Sequence, residues 1–80
     1  MPTRRNTRPD WVRQHQITLG HRLAVLRRGA DLSQDQLADL VGVERRTIQR
    51  WEAAETDPRY ADLLLLARAL HIPMHKLLEE

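Results

Sequence analysis

The sequence contains no cysteine. A disulfide framework, a thiolate metal site and a cysteine nucleophile are therefore excluded together. No run approaches the roughly 18 consecutive apolar residues that mark a membrane span. The first residues lack the hydrophobic core of an export signal. The expectation is a cytosolic chain with no membrane partner. Proline is missing between Asp10 and Asp57, and glycine occurs only at positions 20, 29 and 42. Val, Ile, Tyr and Trp are scattered and do not alternate with polar residues, so strands are unsupported. No internal repeat is visible.

What is present fits one small globular domain. Eighty residues leave room for little else, and 41% apolar with 30% charged residues is an ordinary globular composition. Thirteen Lys+Arg against eleven Asp+Glu give a formal net charge of +2, which by itself says little. Its distribution says more. Residues 1–28 hold seven arginines and one acid, net +6, while residues 29–80 hold six basic residues and ten acids, net −4. A basic head on an acidic body points to a polyanionic partner approached from one side.

Apolar residues recur at helical spacing throughout, so the fold class is all-α. Residues 1–9, with Arg4, Arg5 and Arg8 between two prolines, have no apolar period and read as a basic arm. Leu19, Leu23 and Leu26 lie on one face of a first helix that Thr18 is placed to cap and that ends near Arg28. A longer version opens at Pro9-Asp10. Residues 1–16 are thus assigned to the arm, helical from residue 10 in the longer version, and residues 17–80 to the folded domain. Ser33 and Gln36 have capping-box spacing at the head of a second helix, whose buried stripe is Leu37, Ala38 and Val41 and which Gly42 stops. Glu44 is placed to cap a third helix from Arg45 to about Ala53. Asp57-Pro58 marks a turn and the start of a fourth helix through Leu63, Leu64, Leu66, Ala67 and Leu70. His71 and Pro73 break it, and Met74–Leu78 forms a short fifth helix.

Residues 34–53 carry the most information. For one of two consecutive helices to enter a groove, the pair must cross steeply over a short turn. That requires a small residue at the crossing, a residue tolerant of positive φ in the turn, and apolar residues facing inward. Ala38 supplies the first and Gly42 the second. Leu37, Val41, Val43, Ile48 and Trp51 supply the inward positions. At 100° per residue, with Arg45 at zero, Ile48 and Trp51 centre the buried face of the third helix at about 270°. Opposite lie Gln49, Arg46 and Arg50 at about 40°, 100° and 140°, with Arg45 on the flank. Arginine forks match guanine O6 and N7 in the major groove, and glutamine matches adenine N6 and N7. Most charged helix faces are simply solvated. Three arginines without interleaved carboxylates, in an otherwise acidic body, favour groove contact.

The motifs Leu19-Gly20-x-Arg22-Leu23-x-x-Leu26-Arg27, Leu32-Ser33-Gln34-x-x-Leu37-Ala38-x-x-Val41-Gly42-Val43 and Thr47-Ile48-x-x-Trp51-Glu52 together resemble the lambda-repressor-like, Cro/repressor-type helix-turn-helix family. Pro58 to Leu78 is similar to the last two helices of that family, so the resemblance covers about residues 18–79 without a gap. It implies a five-helix bundle with the helix-turn-helix at helices 2–3. It also implies a DNA-binding transcriptional regulator of repressor or autoregulator type, commonly a homodimer on a near-palindromic operator in double-stranded DNA. No cofactor and no enzymatic activity are implied. By position, Arg45, Arg46 and Arg50 fall where relatives read base edges, with Gln49 beside them. Gln34, Thr47 and Arg59 fall to phosphate contacts, and Arg4, Arg5 and Arg8 of the arm to the groove or the phosphates. Arg27 and Glu52 correspond to a charged pair that relatives bury between the first and third helices. The helical wheel agrees, placing Glu52 at about 340°, on the margin of the core.

Several departures from the family pattern stand out. Asp31, Ala54 and His71 occupy positions where relatives usually have glycine after a helix, so strained or reshaped turns are expected. Glu44 stands where Ser or Thr is usual, close to the approach of phosphates. Glu55 and Asp57 make the loop before the fourth helix acidic. His71 and His75 are four apart, but Pro73 breaks the register that metal ligation needs, so no metal is expected. Catalytic arrangements are not legible. Trp11, Val12, Val25 and Leu65 are apolar where relatives are polar or absent. Either residues 10–17 fold back over Val25 or Leu65, or Leu65, Met74 or Leu78 joins a dimer interface, or these residues are ordinary core. The rival to a DNA-binding regulator is a protein-binding use of the fold, such as an antitoxin. A metal hydrolase built on the histidines is disfavoured.

Overall fold

The computed structural model describes residues 8–78. Five helices follow one another: α1 (Asp10–Gly29), α2 (Gln34–Val41), α3 (Arg45–Glu52), α4 (Tyr60–Ala69) and α5 (Met74–Leu78), with no strand among the described residues. The core is assembled from Leu23, Leu37, Ala38, Val41, Ile48, Trp51, Leu66, Ala67, Leu70 and Leu77. These are the inward stripes that the helical spacing marks. α3 packs against both α1 and α2, α4 against α2, and α5 closes the bundle against α4 and α1.

Helix starts follow local chemistry. Ser33 accepts from the Gln36 backbone at 3.0 Å while the Gln36 side chain accepts from Ser33 N–H at 2.8 Å, completing the box expected from their spacing. Of the other starts, that of α1 follows the longer version read from Pro9-Asp10, while the cap of α3 and the start of α4 correct the sequence reading. Thr18 caps nothing: α1 opens at Asp10, eight residues earlier, where Pro9 has an extended backbone and its carbonyl accepts from Val12 N–H at 3.0 Å. Proline at this edge loses no helical hydrogen bond, because the N–H it lacks would have had no partner within the helix. Glu44 occupies the N-cap of α3 by backbone geometry, yet its carboxylate makes no capping hydrogen bond. α4 begins at Tyr60 rather than at Pro58. There the Asp62 carboxylate accepts from Arg59 N–H at 2.9 Å. This is half of a capping box; arginine, having no acceptor, cannot supply the other half.

Helix ends share one device. After α1, α2, α3 and α4 the chain passes through a left-handed residue and donates back five residues: Leu32 to Arg27, Val43 to Ala38, Glu55 to Arg50 and Ile72 to Ala67. This closure satisfies carbonyls that the helix ends leave orphaned. Leu32, Val43 and Ile72 then fold their side chains onto the core. The left-handed residue is Gly42 in one case but Asp31 (φ 59°), Ala54 (φ 59°) and His71 (φ 57°) in the others. The turns are strained rather than reshaped. Each non-glycine residue there costs about 1 kcal/mol or more.

The lengthened α1 does not cover Val25 or Leu65, which remain 43% and 44% exposed. Its first turns lie instead across the α3–α4 loop. Arg13 Nη1 donates to the Ala54 carbonyl, and Gln16 Nε2 donates to Asp57 Oδ2 at 2.9 Å. Trp11 stacks edge-on with His15, ring centroids 5.8 Å apart. Between these turns, Pro58 and α5 runs a groove of about 400 Å³, with Val12, Leu19, Leu77 and Leu78 in its walls.

Candidate nucleic-acid interface

α3 is held from behind so that its outer face stays free. Ile48 and Trp51 are buried, and Leu37, Ala38 and Val41 of α2 are buried against them. Gly42, at φ 87°, turns the chain between the two helices. On the other side α1 crosses the end of α3 at Gly20. A Cβ there would lie 2.6 Å from the Glu52 carbonyl oxygen and 2.7 Å from that of Trp51. Both are backbone atoms with no room to swing aside, so only a residue without a Cβ permits the crossing.

A polar cluster locks the same end of α3. Arg27 donates to Glu52 twice, Nε to Oε2 at 2.7 Å and Nη2 to Oε1 at 3.2 Å, and its Nη1 donates to the Leu32 carbonyl at 2.9 Å. Gln34 Nε2 adds a bond to Glu52 Oε1 at 3.0 Å. The Arg27 and Glu52 side chains are only 12% and 8% exposed. α1, α2 and α3 thus meet in one nearly dry ion pair. Two short parallel bonds fix orientation as well as distance. The Gln34 amide, expected at a phosphate, spends one of its N–H groups inside this cluster and keeps the other and its oxygen.

With its inner face so occupied, α3 exposes Arg45, Arg46, Gln49 and Arg50, and Thr47 is half-buried beside them. The angular reading of the helix holds at every position. Arg45, on the flank of this face, has its Nε 3.9 Å from Asp35 Oδ1 on α2. Arg59, at the head of α4, projects into solvent with its side chain 91% exposed and 3.8 Å from Asp62. Arg8 is exposed at the start of the described chain, while Arg4 and Arg5 lie outside the described residues. The structure therefore brings Arg45, Arg46, Gln49 and Arg50 onto one face and puts Arg27, Glu52 and part of Gln34 behind it.

Three contributors were missed in the sequence. Gly20 reads only as a glycine within a helix, although its very presence where Ala is preferred is a signal of close approach. Arg13 and Gln16 reach partners 41 residues away, and no local pattern announces that. Among the described residues no group of His, Asp and Glu gathers as a metal site, and no helix is long and apolar enough to cross a membrane.

A five-helix all-α bundle whose second and third helices cross over a glycine turn, with an arginine-rich outer face on the third, defines a helix-turn-helix domain. The chain belongs to the helix-turn-helix domain family, whose model matches residues 18–79. It is 36% identical over 52 residues to the repressor protein C2 of Salmonella phage P22, which spans 65% of this chain but only 24% of that protein. Among solved structures it is similar to the restriction-modification controller protein C.AhdI of Aeromonas hydrophila. That match has TM-score 0.75 and 34% identity, and covers 78% of this chain and 94% of that one. It is also similar to the P22 c2 repressor in complex with a synthetic operator, with TM-score 0.71 and 34% identity over 76% of this chain and 92% of that one. The lambda-repressor-like fold expected from the motifs is the fold observed.

Proposed function

We propose that the chain is a sequence-specific DNA-binding transcriptional regulator, of repressor or autoregulator type, that reads the major groove with α3. The observation that carries this is the free Arg46–Gln49–Arg50 face, opposite a fully engaged Ile48–Trp51 face, on a helix fixed from two sides. A rigid mount matters because base readout needs donors placed before the DNA arrives. That P22 c2 repressor was crystallised with an operator, and that the other relative is a controller protein, supports the same reading.

In this reading Arg46 and Arg50 take guanine edges, with Arg45 and Gln49 beside them, and Gln34, Thr47 and Arg59 hold phosphates. Arg4, Arg5 and Arg8, ahead of α1, follow the groove or the backbone, while the helices from Asp10 onward form the docking body. Two copies sit on a near-palindromic site, their half-sites about 34 Å apart. Selection of bound sequences from a random DNA pool tests this directly. The expected product is a guanine-containing, two-fold symmetric site. Recovery of unenriched sequence would defeat the reading. Removing residues 1–9 is expected to flatten the salt dependence of binding, and an unchanged slope makes the arm a passive tail.

A second reading, a protein-binding use of the fold as in an antitoxin, is favoured by the groove beside α5 and by exposed Trp11 and Leu78 on its walls. A protein that co-purifies and is released by Leu78→Asp supports it.

A further inference from the structure

We propose that Asp35 is a specificity-determining residue: its carboxylate stands beside the Nε edge of the Arg45 guanidinium and biases that arginine toward the base pair it reads. The proposal rests on the DNA-binding reading above and adds a residue that need not touch DNA bases itself.

Arg45 is the first residue of α3 and lies on the flank of its outer face. An arginine there, left alone, swings between base edges and the adjoining phosphates, and ordering it on one base costs rotamer entropy. Asp35 removes part of that freedom. Its Oδ1 stands 3.9 Å from Arg45 Nε, with the two side chains 72% and 56% exposed on the open side of the α2–α3 crossing. Contact at the Nε edge leaves the Nη1/Nη2 fork available, and that fork matches guanine O6 and N7. At 3.9 Å the restraint is loose and exposed, so it adds little to fold stability. Its consequence is in selectivity.

The backbone that carries Asp35 is fixed by its neighbour. Gln34, its chain neighbour, donates to Glu52 at the far end of α3. Of two adjacent residues at the head of α2, Gln34 thus bonds the far end of α3 and Asp35 faces its first residue. Asp35 is not needed to cap α2, since Ser33 and Gln36 complete that box between them. The sequence there is free to use position 35 for something else. A carboxylate beside the groove also repels phosphate on any DNA, which penalises unspecific docking more than a site where Arg45 is satisfied.

The test compares Asp35→Asn with Asp39→Asn, an exposed acid one turn further along α2 that carries the same charge change. Each full-length variant, and each in an Arg45→Ala background, is taken through random-pool selection and competition against unrelated DNA. Both variants are expected to bind unrelated DNA more tightly, because both lose a negative charge. Only Asp35→Asn is expected to relax preference at one base pair per half-site, by about two- to fivefold. That change should vanish when Arg45 is already alanine. Equal base preference in Asp35→Asn and the natural protein overturns the proposal, as does relaxation by Asp39→Asn, or relaxation that persists without Arg45. Failure of the natural protein to select any sequence is a different result and overturns the DNA-reading function instead.

Discussion

Removing Arg27 should cost the domain a large part of its stability, whereas removing Arg27 and Glu52 together should cost little. In Arg27→Met, Glu52 is left 8% exposed with only the Gln34 amide as donor, and the Leu32 carbonyl loses its side-chain partner. Stranding one member of a buried pair typically costs about 3–5 kcal/mol. The orphaned carbonyl adds about 1 kcal/mol if water does not reach it. A domain of this length has about 4–12 kcal/mol in total. The single variant should therefore lose at least about a third of the domain's stability, with Tm lowered by about 15–45 °C. In Arg27→Met/Glu52→Met the desolvation penalty of both charges is gone and two apolar chains fill a similar volume. That variant should return to within about 2 kcal/mol of the natural protein. Urea unfolding followed by circular dichroism measures both. A loss under about 1 kcal/mol in Arg27→Met would refute the reasoning, since it would mean that water screens the pair. So would a double variant no more stable than the single one. The Gln34 bond predicts a further effect: the double variant, though stable, should bind DNA less selectively, because Gln34 and the end of α3 lose their common anchor.

Three further outcomes follow from single residues. Gly20→Ala should destabilise by about 1–2 kcal/mol, the overpacking at two α3 carbonyls exceeding the roughly 1 kcal/mol gain in helix propensity; stabilisation on thermal melting would show that α1 and α3 part freely. His71→Gly should stabilise by about 0.5–1 kcal/mol, left-handed strain relieved less the entropy of a freer unfolded chain. Asp31→Gly should gain less, because a short polar side chain tolerates that conformation, and Ala54→Gly should gain nothing, because it deletes a buried methyl worth about 0.8 kcal/mol. Calorimetry that ranks Ala54→Gly first contradicts this order. Arg50→Ala should weaken binding to the selected site by about 1–3 kcal/mol and relax preference at one base pair, whereas an equal loss on all sequences makes it a phosphate contact.

What the sequence made legible was whatever depends on neighbours along the chain. The Ser33–Gln36 box, the Gly42 turn and the faces of α3 are determined within a few residues, and the structure reproduces them. The start of α1 was not so determined. Thr18 and Pro9 are both acceptable openings by local chemistry, and the choice is made by Arg13 and Gln16 finding acceptors on the α3–α4 loop. Glu44 likewise has the right chemistry for a cap and makes no capping bond. In the interface, the outward residues could be read from angle alone. Gly20 and Asp35 could not, because their importance lies in a helix that crosses from elsewhere.

The three non-glycine turns show how such a sequence still reaches the fold. Asp31, Ala54 and His71 all adopt the left-handed conformation that glycine would take without strain. In two of the three closures, the residue that follows, Leu32 or Ile72, packs onto the core. Burying such a side chain contributes about 1.5–3 kcal/mol, more than the strain it is set against. The turn after α3 has no such compensation, since Glu55 follows and is exposed. There Ala54 is buried, and its carbonyl accepts from Arg13 on the extended α1. The extra turns of α1 thus stabilise the one closure that lacks an apolar anchor, at the end of the helix proposed to enter DNA. Shortening α1 to residue 17 should therefore loosen the C-terminal end of α3 first, seen as faster amide exchange at Ala54 and Glu55 than at Asp31 and Leu32. Equal acceleration at both turns would mean that the extension stabilises the domain only globally.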